Sequence, residues 1–215
     1  MEKNELAGKI TAKTKTFASQ AALVLKLLLA ALTIPLIIGL TRAFYDGASV
    51  LSNEAIKYFI YGFIAYLILH FLIYKPTAVY KKGQRILEII FKFFAPLLKV
   101  APYLLPIYFI LIAACFFILR QVFNINADIE IFLFLMAFSL ILHLVLTAEA
   151  LRDKYLGLAK ANYFFGFAII YLLNILMLAA VFHFMFTEFS FLEFFTQSGT
   201  NSFEIYQRIF NQLFV

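Results

Sequence analysis

The chain has no tryptophan, a single cysteine and few charges: Asp, Glu, Lys and Arg make up 14% of its 215 residues, against roughly a quarter in soluble domains. Each shortage excludes something. Cys115, standing alone in an apolar run, allows no intrachain disulfide and no thiolate metal cage. With 64% apolar residues and a mean hydropathy of +0.93, there is too little charge for a water-exposed surface, which excludes a soluble domain. Phosphate-binding Gly loops, metal-ligand spacings, nucleophile elbows, nucleic-acid modules and inverted repeats are all missing. The expectation is therefore a protein that is not an enzyme, with no cofactor, no metal and no nucleic-acid partner. In place of Trp stand 28 Phe, read as lipid-facing bulk.

What is there is apolar length. Five stretches, about 20–40, 56–74, 100–119, 129–147 and 163–186, each approach the ~20 residues that a ~30 Å hydrocarbon core requires. Turn and cap residues fall between them: Asp46-Gly47, Ser52 or Asn53 with Glu54, and Asn126 or Asp128 with Glu130. The first stretch is too long, and its charged lead too long, for a cleavable signal. The fold class expected is all-α: a single polytopic membrane domain over 1–215 with five transmembrane helices.

Orientation comes from the basic residues. With the N-terminus in the cytoplasm, segments 1–19, 75–99 and 148–162 hold thirteen of the eighteen Lys and Arg, leaving Arg42, Lys57, Arg120 and Arg208 outside. That bias predicts N-in and C-out. Lys26, inside the first stretch, is expected to snorkel toward the cytoplasmic end. The setting expected is a multi-pass protein of a bacterial inner (plasma) membrane.

Segment 79–99, VYKKGQRILEIIFKFFAPLLK, is too charged for a sixth crossing. Counting it as one would also erase most of the charge bias. Lys81, Arg85, Glu88, Lys92, Ala95 and Lys99 recur at spacings of 4, 3, 4, 3 and 4, a stripe about 80° wide on a helix. This predicts an in-plane amphipathic helix over about 81–96 on the cytoplasmic side, with a Glu88–Lys92 pair and an elbow at Pro96. Lys75, Lys81, Lys82, Arg85, Lys92 and Lys99 are the candidate contacts for anionic lipid or a partner. The blander alternative is a stop-transfer cluster that only anchors topology. A second amphipathic helix is expected over about 202–214, capped by Asn201 with Glu204 and lying on the outer surface or docking a partner.

Polar residues within the apolar stretches are sparse. His70 and His143 fall at one depth near the cytoplasmic ends of the second and fourth stretches. They can ligate a b-type haem, or simply reach headgroups or a carbonyl. Asn174, near the centre of the fifth, reads as interhelical hydrogen-bond glue more readily than as a substrate ligand. No acidic residue occupies the middle of a stretch, which argues against a carboxylate-coupled carrier. Tyr58, Tyr61, Gly62 and Ala65 share one face, with Tyr66 at its edge, read as a close-packing surface more readily than as the wall of a polar groove.

The function expected is a non-catalytic membrane subunit or scaffold, bound to a membrane protein partner or to itself. The alternatives are a small transporter or channel subunit acting as an oligomer, and a b-type haem anchor.

Overall fold

The computed structural model describes residues 2–73, 76–94, 100–123, 125, 128–154 and 160–214, with side chains described except at 2–19, 73, 154 and 160–161. The expected contacts Lys75 and Lys99, the elbow at Pro96 and a cap at Asn126 lie outside the described residues. Among the described residues the chain is all-helical, without strands.

Four helices are long and apolar enough to cross a membrane, over Gln20–Ala48, Asn53–Leu72, Ile129–Asp153 and Asn162–Met185. The first is part of α1, Glu2–Ala48, with Pro35 inside it. Helix α2, Asn53–Ile68, starts where Ser52 accepts a hydrogen bond from the Ala55 amide at 3.2 Å. It ends by widening into a π turn, Leu69–Ile73, that contains His70.

The amphipathic helix exists as α3, Thr77–Ile90, four residues earlier at its start than expected and ending before Lys92. Residues 91–93 form a turn, so the charged stripe is helical only through Glu88, and no Glu88–Lys92 ion pair forms.

The third expected span is not continuous. A single turn, α4 (Ala101–Leu104), is separated by Leu105 and Pro106 from α5, Ile107–Gln121. Pro102 is tolerated in the first turn of α4, where amide donors are unused anyway. Pro106 has no N–H and drives Leu105 into the extended region (φ −103°, ψ 121°). With 15 residues, α5 alone is about 22 Å long, short of a ~30 Å core.

Helix α6, Ile129–Lys154, opens with the Asp128 carboxylate accepting from the Glu130 amide at 3.1 Å. Helix α7 is Lys160–Met185 and α8 is Phe191–Phe214. The last begins eleven residues before the expected helix at 202. The start signal is Ser190, whose hydroxyl accepts from the Glu193 amide at 3.3 Å. Phe189 and Phe194 close on each other across this cap, ring centroids 6.2 Å apart. A Ser-x-x-Glu cap with an apolar staple outweighs the Asn201/Glu204 pair, which lies inside the helix.

Helix α2 packs on α6, and α1 on α7 and α8. Gly62 makes the α2–α6 crossing close: a Cβ there would stand 2.9 Å from the Phe134 carbonyl carbon. Phenylalanine divides between two roles. Phe109, Phe116, Phe182, Phe189 and Phe194 are buried in the core, whereas Phe71, Phe93 and Phe184 are exposed. The excess is therefore only partly the lipid-facing bulk that composition implies.

Helix α8 turns back. Phe194 meets Phe44, ring centroids 6.5 Å apart, Ser198 and Ser202 meet Gly39, and the Tyr206 hydroxyl donates to the Leu32 carbonyl. The order is antiparallel, twelve residues of α8 against twelve of α1. The helix thus lies along the apolar part of α1 rather than on the surface at the far end of the bundle. Its C-terminal half runs toward the end that carries α3.

Candidate functional site

The broken third helix creates a demand. Where Pro106 interrupts the ladder, the carbonyls at the end of α4 lose their usual amide donors. Two side chains replace them. His143 of α6 donates from Nε2 to the Tyr103 carbonyl at 3.1 Å, which requires the proton to sit on Nε2 because a carbonyl only accepts. Asn174 of α7 donates from Nδ2 to the Leu104 carbonyl at 3.2 Å and to the Ile170 carbonyl at 2.7 Å. Both side chains are buried. Asn174 is thus interhelical glue in a specific sense, since it joins α7 to the broken end of α4.

The Asn174 amide is left half satisfied. Among the described residues its Oδ1 is the buried side-chain atom without a partner. Asn174 also lines a cavity of about 180 Å³ between α1, α2, α6 and α7, on whose wall the Thr41 and Tyr171 hydroxyls bond to each other at 2.8 Å. A wider groove of about 390 Å³ between α1 and α7 is lined by apolar side chains apart from Thr33.

Below the break lies a second polar layer. The Tyr80 hydroxyl of α3 pairs with Thr147 Oγ1 of α6 at 2.7 Å. Burial pushes the Tyr80 phenol up to about 12, so it is a neutral partner at physiological pH. His70, in the π turn, is buried with Nδ1 3.3 Å from the Tyr66 hydroxyl and Nε2 3.5 Å from Glu149 Oε1. His70 and His143 therefore share an end of the bundle but face different partners. The haem reading gains nothing from this, because His143 uses Nε2 as a donor and His70 faces a carboxylate.

The candidate contacts Lys81, Lys82, Arg85 and Lys92 are all exposed. Helix α3 has three sectors. Tyr80, Gly83 and Leu87 are buried against the bundle, and a Cβ at Gly83 would lie 2.8 Å from Ile107 Cγ2 and Tyr108 Cε2. Val79, Ile86 and Ile90 form an exposed apolar sector. Lys81, Lys82, Arg85 and Glu88 form the charged one.

The other cations whose side chains are described have partners. Lys26 donates to Asn162 Oδ1 at 2.8 Å, so an internal hydrogen bond holds the residue expected only to snorkel. Arg42 pairs with Asp46, Lys57 with Glu54, Arg152 with Asp153 and Arg208 with Glu204, and Arg120 lies over the Phe116 ring. Lys81, Lys82, Arg85 and Lys92 have no such partner among the described residues.

Sequence reasoning missed Tyr80, Thr147 and Glu149 and left Tyr66 at the edge of a packing face. The available signal for the upper layer was Pro106, since a proline within an apolar stretch calls for side-chain donors nearby. Both layers join side chains of one helix to groups of another: Tyr80 to Thr147, His143 to the Tyr103 carbonyl, Asn174 to the Leu104 carbonyl and His70 to Glu149. Compared with known proteins, the chain matches no family model, no curated protein and no solved structure.

Proposed function

We propose that the protein is a non-catalytic integral membrane subunit that docks a partner's acidic surface or anionic lipid through α3. In this reading the N-terminus and α3 face the cytoplasm, and the membrane is a bacterial inner membrane. The basic bias of that end supports the orientation. The observation that carries the proposal is the contrast among cations: those of α3 and its following turn have no partner among the described residues, while six elsewhere have one. The three sectors suit a helix at the membrane boundary, one on the bundle, one in acyl chains and one in water.

The test replaces Lys81, Lys82 and Arg85 by Glu together. Pull-down from native membranes and native mass spectrometry of retained lipid should lose the partner or anionic lipid while insertion is unchanged. Identical co-purification from the wild type and the triple variant would overturn the proposal.

A second reading, an oligomeric small transporter or channel subunit, draws on the discontinuous α4–α5 beside the half-satisfied Asn174, because broken helices at depth often border transport sites. Liposome flux that Asn174→Leu abolishes would favour it. Absence of flux in oligomer-containing vesicles would remove it.

A further inference from the structure

Helix α8 has a surface that its position does not account for. Phe194, Ser198 and Ser202 are buried, on the side that meets α1. One flank, with Leu192, Phe195, Phe203 and Phe210, is exposed and apolar. The other flank, with Gln197, Thr200, Glu204, Gln207, Arg208 and Asn211, is polar along the same length.

This flank runs beside the apolar Leu32–Phe44 stretch of α1. Hydrocarbon would suit the Phe203 side and be costly for the Glu204 side, where amides and charges would have no partner. Within the chain the flank is barely satisfied. Glu204 and Arg208 approach to only 3.9 Å with most of the Arg side chain exposed, and Thr200 bonds back to its own helix.

We propose that the polar flank of α8 is the contact between two copies of this chain. Two copies in one membrane share an orientation, so the two α8 helices meet in parallel about an axis along the bundle. That geometry brings like residues to one level. The flank is composed for it: each Gln and Asn carries both donor and acceptor, so an identical neighbour satisfies it. Glu204 and Arg208, one turn apart and of opposite sign, pair crosswise between copies. A stripe that is neutral over this turn offers no preference for a strongly acidic or basic partner. The apolar flank, with Phe203, then faces lipid away from the seam. This contact is independent of the docking role proposed for α3.

The test uses the full chain in native membranes with Cys115→Ser and single cysteines, cross-linked by a short bis-maleimide. Thr200→Cys and Asn211→Cys should give a covalent dimer at least tenfold more readily than Phe203→Cys, which samples random collision. Mixing supplies the decisive arm. Glu204→Arg alone and Arg208→Glu alone should each lower Thr200→Cys cross-linking several-fold, and co-expression of the two variants should restore it as a mixed dimer. Equal cross-linking at Thr200 and Phe203, capture of a different protein at Thr200, or single reversals without effect would each overturn the proposal.

Discussion

Helices α3 and α8 are built alike and used differently. Each has one strip against the bundle, one exposed apolar flank and one polar flank. Yet α3, with 14 residues, packs on α4, α5 and α6 near the broken helix, whereas α8, with 24, lies along α1. The packing strips differ. Gly83 of α3 faces the tips of Ile107 and Tyr108, whereas Gly39 of α1 faces the backbone of α8, with a Cβ 2.8 Å from the Ser202 amide nitrogen. Amphipathic period specifies which faces a helix has; small residues on its neighbour decide how closely, and at what depth, it is held. The polar chemistry differs as well. The charged flank of α3 carries three basic residues and one acid, and that of α8 is rich in amides with one Glu–Arg pair.

The widest separation between the two helices should appear in water accessibility. In a Cys115→Ser background, a cysteine at Arg85 should react with a membrane-impermeant maleimide nearly completely from the α3 side, and one at Phe203 at least tenfold more slowly. Comparable rates would mean that α8 lies at the water boundary as α3 does. Next in size is the glycine pair. Gly39→Val forces backbone apart and should cost about 2–3 kcal/mol by overpacking, read as a lower thermal midpoint in detergent with faster hydrogen exchange confined to α8. Gly83→Val meets side-chain tips that can turn aside and should cost roughly half as much by the same mechanism. A reversed order would show that α3 is the more tightly held.

How much of this was legible follows the kind of signal. The stripe of Lys81, Arg85 and Glu88 was readable because period is a property of side chains, and α3 carries it, although the helix starts at Thr77 rather than near 81. Its end was not, since the turn at 91–93 precedes the proline expected to stop it. The third span looked continuous because hydropathy records no missing amide donor at Pro106. His143 and Asn174 stood out as exceptions in apolar runs, but their acceptors are the carbonyls of Tyr103 and Leu104, which leave no mark in a sequence. For α8 the signal was present and outvoted: Ser190 and Glu193 form the cap, while Thr196 to Ser202 resembles a polar break. Ser198 and Ser202 are in fact where the helix comes closest to α1.

Single hydroxyls sharpen the comparison at smaller scale. Tyr80→Phe removes the bond to Thr147 that pins α3, and Tyr206→Phe removes the bond to the Leu32 carbonyl that pins α8. Each should cost about 1 kcal/mol in unfolding measurements, and each should loosen only its own helix in hydrogen exchange. Tyr80 adds a pH signature. Its folded pKa of about 12 exceeds the ordinary value of 10.0, so the unfolded chain releases that proton first and stability falls as pH rises from 10 toward 12. Tyr80→Phe should lose that part of the slope, and Tyr206→Phe should keep it.

The smallest expected effect is the triple replacement of Lys81, Lys82 and Arg85 by Glu, measured as stability of the isolated protein. These side chains are exposed and have no ion-pair partner among the described residues, so reversing them breaks no contact. Exposed substitutions of this kind stay within about 0.5 kcal/mol, and here the change should be of that size. The same three positions should matter far more in anionic vesicles, where each basic residue near the surface contributes about 1 kcal/mol. A large loss of stability in neutral detergent would instead make α3's charges part of the fold. It would also remove the difference from α8, whose polar flank carries one Glu and one Arg of opposite sign rather than a basic cluster.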